Sequence, residues 1–267
     1  MGFLEEMVRE RRRSLSDPSY GREISGVRKA RPPSLRTAVE RDRERGALLV
    51  EYKRASPGRP DPQLPPRSVT EFLNATEPAS PTAYSCLATE PRFEGSPADV
   101  AELARKTPRP VLYKDFVIDR RQVEIAVRTG ASAILLIARL DRAGWLSEPL
   151  ATLAEVARHS GLEVLLEFHS RTELSRGADV AADMYGVNTR DLDSLTIDVG
   201  AAEATLAEAR AQGLRPLLGL SGVETTADAE RFWRGGADGI LVGTAVARSS
   251  EPARFLSTLL RPESGVP

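Results

Sequence analysis

Cysteine is nearly missing from this chain. Cys86 stands alone, which excludes an internal disulfide and a cysteine-rich metal site. Histidine is almost as scarce: His159 and His169 are too few for most imidazole-based metal centres. No apolar run reaches the length of a membrane span, and no apolar signal-peptide core follows the N-terminal charges. Met1-Gly2 opens like a myristoylation signal, but Glu6 stands where serine or threonine is required. Charge of one sign is not in excess either. The 37 Lys+Arg balance 38 Asp+Glu, so the chain as a whole has no bias towards nucleic acid or a membrane surface. A soluble cytoplasmic protein is expected.

What is present is enough for a sizeable core. The chain has 267 residues, 41% of them hydrophobic, and is read as one domain over 1–267. Residues 1–45 are charged and helix-prone, and form an N-terminal helical extension. Its first thirteen residues interleave Glu5, Glu6 and Glu10 with Arg9, Arg11, Arg12 and Arg13, as in an exposed helix. Ser34 caps a second helix that runs to about Arg45 and stops at Gly46. The segment 56–66 holds five prolines and a glycine, and predicts a loop.

From Ala47 onward, short apolar segments alternate with helical ones. Strands are predicted at 47–53, 83–88, 110–113, 133–137, 163–168, 181–187, 215–220 and 239–242. Apolar residues on both faces mark a buried parallel sheet. Eight strand–helix units over roughly 220 residues give an α/β fold, the closed eight-stranded parallel β/α (TIM) barrel. A doubly wound open sheet is the runner-up, but no G-x-G-x-x-G follows the first strand.

In such barrels the chemistry sits where strands end. Those positions hold Glu51 and Lys53, Lys114, Glu167, Asn188 with Arg190, Ser221-Gly222 and Gly243-Thr244. Glu51 and Lys53 are two apart and so share one strand face. Two lysines and two carboxylates converging on one mouth suit general acid–base work. The turns Ser221-Gly222 and Gly243-Thr244 expose backbone amides that suit a phosphate dianion. His169 projects on the face of Glu167, and a supporting or surface role is read for it. His159 closes a helix, while Trp145, Trp233 and Cys86 read as packing residues.

The strings EYKRASP (51–57), CLATEPRFEGS (86–96), LYKDFVID (112–119), LLEFH (165–169), GVNTRDL (186–192), LSGV (220–223) and GILVGTAVARS (239–249) resemble the indole-3-glycerol phosphate synthase family of tryptophan biosynthesis. The resemblance covers about residues 34–258. It implies a carbon–carbon lyase converting 1-(2-carboxyphenylamino)-1-deoxyribulose 5-phosphate to indole-3-glycerol phosphate, carbon dioxide and water, without metal or organic cofactor. Lys114 then matches the general acid on the ribulose carbonyl, Lys53 a lysine that assists dehydration, Glu167 the acid/base, and Glu51 the carboxylate that orients Lys53. Ser56, Asn188 and Arg190 match residues around the substrate carboxylate, and Ser221, Gly222, Gly243 and Thr244 the phosphate site. The helix at 34–45 matches one that covers the barrel and lines the site. The partner implied is a small phosphorylated molecule, with no nucleic acid or membrane, for a monomer or weak homo-oligomer. Protonating a ketone calls for an ammonium pKa lowered towards working pH, an effect worth about 10²–10⁴ in rate.

The chain departs from the family at Leu220, where a glutamate is usual. It departs again at Ser56-Pro57-Gly58-Arg59-Pro60 in place of Ser-Pro-Ser-Lys-Gly, and at Glu90 and Arg92-Phe93 in place of aspartate and paired phenylalanines. Leu220 leaves open a weakly active or non-catalytic homologue that binds a phosphorylated ligand or a pathway partner. Schiff-base chemistry at Lys114, in another sugar-phosphate isomerase or lyase, is a further alternative.

Overall fold

The computed structural model describes residues 2–22, 24, 32–58, 61–90, 92–177, 180–192, 194–196 and 199–261. Eight strands form the frame: β1 (Ala47–Tyr52), β2 (Ala83–Leu87), β3 (Val111–Lys114), β4 (Ala133–Ile137), β5 (Glu163–Phe168), β6 (Met184–Asn188), β7 (Leu217–Leu220) and β8 (Gly239–Val242). Each pairs in parallel with the next, and β1 pairs with β8, so the sheet closes into the expected barrel. Two helices precede it, α1 (Phe3–Ser16) and α2 (Leu35–Asp42). The others are α3 (Val69–Thr76), α4 (Pro97–Lys106), α5 (Arg120–Thr129), α6 (Ala138–Arg142), α7 (Leu150–His159), α8 (Arg171–Gly177), α9 (Val199–Ala211), α10 (Thr226–Arg234), α11 (Thr244–Arg248) and α12 (Pro252–Thr258).

The alternation of side chains along each strand sorts the core into two layers. Leu48, Val50, Tyr84, Val164 and Leu166 face the surrounding helices. Ala47, Leu49, Leu112, Leu135, Leu165, Leu218 and Leu241 fill the barrel interior. The strand starts are tied two by two through the residue just ahead of each even-numbered strand. Thr82 Oγ1 accepts from Leu48 N, Ser132 Oγ from Val111 N, Asp183 Oδ2 from Val164 N and Asp238 Oδ2 from Leu217 N, at 2.8–3.2 Å. These bonds satisfy amides that would otherwise be orphaned at the sheet rim.

The two N-terminal helices close opposite ends, which corrects the expectation for 34–45. Helix α2 lies under the strand starts: Leu35 N and Arg36 N donate to Glu163 Oε2 at the start of β5, at 2.7 and 3.0 Å. A carboxylate at a helix N-terminus is well placed for the dipole. It is α1 that covers the mouth. Its residues Leu4, Met7, Val8, Arg11 and Leu15 are buried, so this helix is not simply exposed. That spacing of three and four residues was the available signal. Arg11, 1% exposed, sits 3.7 Å from Asp115 just past β3, over the Tyr20 ring, and donates to the Glu90 carbonyl.

Sequence reading also passed over α3. Its capping box was legible, with Ser68 Oγ accepting from Glu71 N and the Glu71 carboxylate accepting from Ser68 N. The Arg59-Pro60 departure in the first loop lies outside the described residues.

Candidate active site

Alternation aims Glu51 and Lys53 into the barrel from β1 and Lys114 from β3. The Glu51 carboxylate takes one lysine on each oxygen: Oε1 is 2.9 Å from Lys53 Nζ and Oε2 is 2.9 Å from Lys114 Nζ. The glutamate side chain is 2% exposed, the lysines 11% and 17%. Burial raises the Glu51 pKa, but Lys114 and Lys53 outweigh it and hold the group at about 2. The two lysines diverge. For Lys114 burial acts to release the proton, yet Glu51 and Glu167 overcome it and raise the pKa above the usual lysine value. For Lys53 burial, with Lys114 as a like charge, prevails over Glu51 and lowers it. The lowered ammonium expected of the principal acid therefore belongs to Lys53, because Lys114 alone has a second carboxylate near it.

Glu167 ends the inward face of β5. Its Oε1 lies 3.2 Å from His169 Nε2, and His169 Nδ1 lies 3.3 Å from Glu173 Oε2. His169 is no surface residue: its side chain is 4% exposed. The Glu167 pKa is lowered, since His169, Lys114 and Asn188 together overcome burial.

One cavity, about 900 Å³ with its open mouth included, is lined by all eleven residues singled out from the sequence: Glu51, Lys53, Ser56, Lys114, Glu167, Asn188, Arg190, Ser221, Gly222, Gly243 and Thr244. Asn188 Oδ1 accepts from Arg190 N at 3.0 Å, and Arg190 Nη1 donates to the Leu195 carbonyl at 3.0 Å. Ser221 and Gly222 both have left-handed backbones, with φ of 65° and 74°. Such a turn points successive amides to one side. Gly243 leaves room for the ion pair: a Cβ there would lie 2.7 Å from Glu51 Oε1 and 3.0 Å from Lys53 Nζ, so one of them would have to shift. Ser56 Oγ sits 2.9 Å from Thr244 Oγ1, which joins Ser56 to the glycine turns rather than to Asn188 and Arg190.

An apolar wall was missed. Phe3 of α1 meets Phe93 and Phe116 edge-on, with centroids 6.2 and 6.4 Å apart, and all three line the cavity. Phe3 lies some 110 residues from Phe116 in sequence, so no local pattern announces the cluster. Leu220 packs instead of projecting: it is 1% exposed and fills the space over Gly186, where a Cβ would be 2.6 Å from Leu220 Cδ1. Cys86 is fully buried and Trp233 nearly so, as packing residues are.

A family model described as indole-3-glycerol phosphate synthase matches residues 4–259. Proteins of that name from Exiguobacterium sibiricum and Thermococcus kodakarensis are 34% and 35% identical to this chain. The first covers 97% of both chains, the second 84% of this chain and 96% of its own. Two solved structures share the fold. Thiamine phosphate pyrophosphorylase from Pyrococcus furiosus has a TM-score of 0.57 at 17% identity, covering 82% of this chain and 95% of its own. Tryptophan synthase subunit alpha from Legionella pneumophila has 0.61 at 15%, covering 84% and 96%. At those identities the likeness is one of fold alone. Matched end to end by the family model and by relatives of about a third identity, the chain belongs to the indole-3-glycerol phosphate synthase family.

Proposed function

We propose that this protein is a lyase that closes the indole ring: it converts 1-(2-carboxyphenylamino)-1-deoxyribulose 5-phosphate to indole-3-glycerol phosphate, carbon dioxide and water. The observation that carries the reading is the Lys53–Glu51–Lys114 cluster, which faces one cavity with Glu167 and two glycine turns. The substrate's phosphate is assigned to the amides around Ser221-Gly222 and Gly243-Thr244, with the Ser56 and Thr244 hydroxyls beside them. Arg190 and Asn188 are assigned to the aryl carboxylate. Phe3, Phe93 and Phe116 offer the ring an apolar, water-poor wall.

In the ring-closing step the ring carbon bearing the carboxylate attacks the ketone carbon, and the carbonyl π pair moves to oxygen. Lys114, held as an ammonium by two carboxylates, gives that oxygen a proton. Loss of carbon dioxide returns the C–C electron pair to the ring and restores aromaticity. The new hydroxyl then leaves as water with a proton from Lys53, whose lowered pKa suits a donor. Glu167 takes the balancing proton from the five-membered ring.

Glu51 keeps both lysines charged and aimed. We infer a cytoplasmic enzyme, a monomer or weak homo-oligomer, acting on this small molecule. The test is indole fluorescence after addition of the carboxyphenylamino substrate. Wild type should produce it and Lys114→Met should not. A purified wild type that yields no product at high enzyme concentration overturns the reading. Borohydride trapping of substrate on Lys114 would replace it with Schiff-base chemistry.

A further inference from the structure

His169 follows β5 on the inward face that Glu167 shares, and both of its ring nitrogens meet carboxylates. Nε2 stands 3.2 Å from Glu167 Oε1, and Nδ1 stands 3.3 Å from Glu173 Oε2. Glu173 is itself fixed: its Oε2 also accepts from His169 N at 2.8 Å, and its own amide donates to Ser170 Oγ at 3.3 Å. The three side chains are 2–4% exposed, so water does not screen them. A neutral imidazole carries one proton and one lone pair. Between two carboxylates, a neutral ring would turn its lone pair on one of them. Only the imidazolium suits both.

We propose that His169 is a positioning residue, an imidazolium clamped between Glu173 and Glu167 that aims the Glu167 carboxylate and keeps it ionised for proton acceptance. The proposal rests on the role given to Glu167 under the proposed function. The charge state agrees: burial opposes protonation of His169, but Glu167 and Glu173 prevail and raise its pKa to about 9. Lys114 from β3 and Asn188 from β6 also favour the ionised form of Glu167. Among the charges on the helices beside α8, Arg139 of α6 pairs with Asp191 and Glu208 of α9 with Arg171. The 3.2 Å contact of His169 Nε2 with Glu167 Oε1 is an ion pair without hydrogen-bond alignment, and Glu167 Oε2 also lacks an aligned donor.

The test compares full-length wild type, His169→Asn and Glu173→Gln by kcat and KM across pH, and by ¹⁵N NMR titration of the imidazoles. With two histidines in the chain, His159→Gln assigns the spectrum. His169→Asn is expected to lower kcat by about ten- to a hundredfold with KM changed less than about threefold. Its acid limb should move to higher pH, because Glu167 loses the cation that favours its ionised form. Glu173→Gln should shift the limb the same way by less, and should lower the pH at which His169 gives up its proton. If His169→Asn fails to fold, Glu173→Gln carries the comparison. A folded variant with an unmoved acid limb, or with kcat and KM worsening together, overturns the proposal. A His169 that titrates as a neutral ring below pH 7 in wild type overturns it whatever the activity. Absence of wild-type turnover would instead count against the function, and the titration would still decide the charge of His169.

Discussion

Glu51 serves both lysines of the mouth at once, Oε1 2.9 Å from Lys53 Nζ and Oε2 2.9 Å from Lys114 Nζ. A single carboxylate therefore sets the charge of two candidate acids. Glu51→Gln keeps the shape and removes the anion. Breaking a buried ion pair from one side costs about 3–5 kcal/mol, so a lower Tm is expected. A loss of about a hundredfold or more in kcat should accompany it. Both lysines then release their protons more readily, and the alkaline limb of the pH–rate profile moves to lower pH. A Gln variant with the wild-type limb would show that Glu51 does not govern the lysines.

Gly243→Ala tests the same cluster by volume alone. The added methyl would stand 2.7 Å from Glu51 Oε1 and 3.0 Å from Lys53 Nζ, so the ion triad has to give way. Misplacing reacting groups by an ångström costs on the order of a hundredfold, and kcat/KM is expected to fall by about that much. Steady-state kinetics beside a circular-dichroism melt separate this from unfolding. An alanine variant with unchanged kcat/KM would mean that the triad has slack to absorb a methyl.

Arg11 fastens α1 to the mouth. Arg11→Met keeps much of the stem but leaves Asp115 buried beside Thr89 and Gln122 without its guanidinium. A destabilisation of about 3 kcal/mol is expected by denaturant titration. KM should rise as well, because Phe3 rides on the same helix. Adding Asp115→Asn should recover part of the stability, since the unpaired charge is then gone. No recovery would show that the contact is not electrostatic.

Stability should fall on the alkaline side. Against the opposing effect of burial, Glu167 and Glu173 raise the His169 pKa to about 9, above the ordinary histidine value of about 6.5. The folded state therefore holds a proton that the unfolded chain releases earlier. The contribution is complete below about pH 6.5 and is lost as pH rises to about 9, on the order of a few kcal/mol. Tm measured across that window should decline in wild type and less steeply in His169→Asn. Parallel curves would remove His169 from the account.

The barrel was legible because its signal repeats: eight apolar segments each end in polar residues and are followed by a helix. The strand-end residues were legible for the same reason, since alternation alone places Glu51, Lys53 and Lys114 on one side of the sheet. What stayed hidden depended on position in space. The charges of residues 1–13 masked a helix that buries Leu4, Met7 and Val8. The side of the barrel each N-terminal helix would take is set by partners such as Glu163 and Asp115, more than a hundred residues away. The opposite pKa shifts of the two lysines follow from Glu167 lying near Lys114, a distance that no spacing encodes. His169 could have been read further: with Glu173 four residues on and Glu167 two before, the pattern E-x-H-x-x-x-E sets two acids around one imidazole.

The seat of α1 has a consequence for how the molecule is made. Asp115 lies 104 residues after Arg11, and the Trp145 carbonyl that Arg12 grips lies 133 residues beyond it. Contacts so distant along the chain form late, since the loop between them has to close first. Until those partners are in place, Leu4, Met7 and Val8 lack the surface that buries them in the folded protein. The lid of the mouth is thus among the last segments to find its place, and a folding intermediate that has closed the barrel without it would have an open, wet mouth.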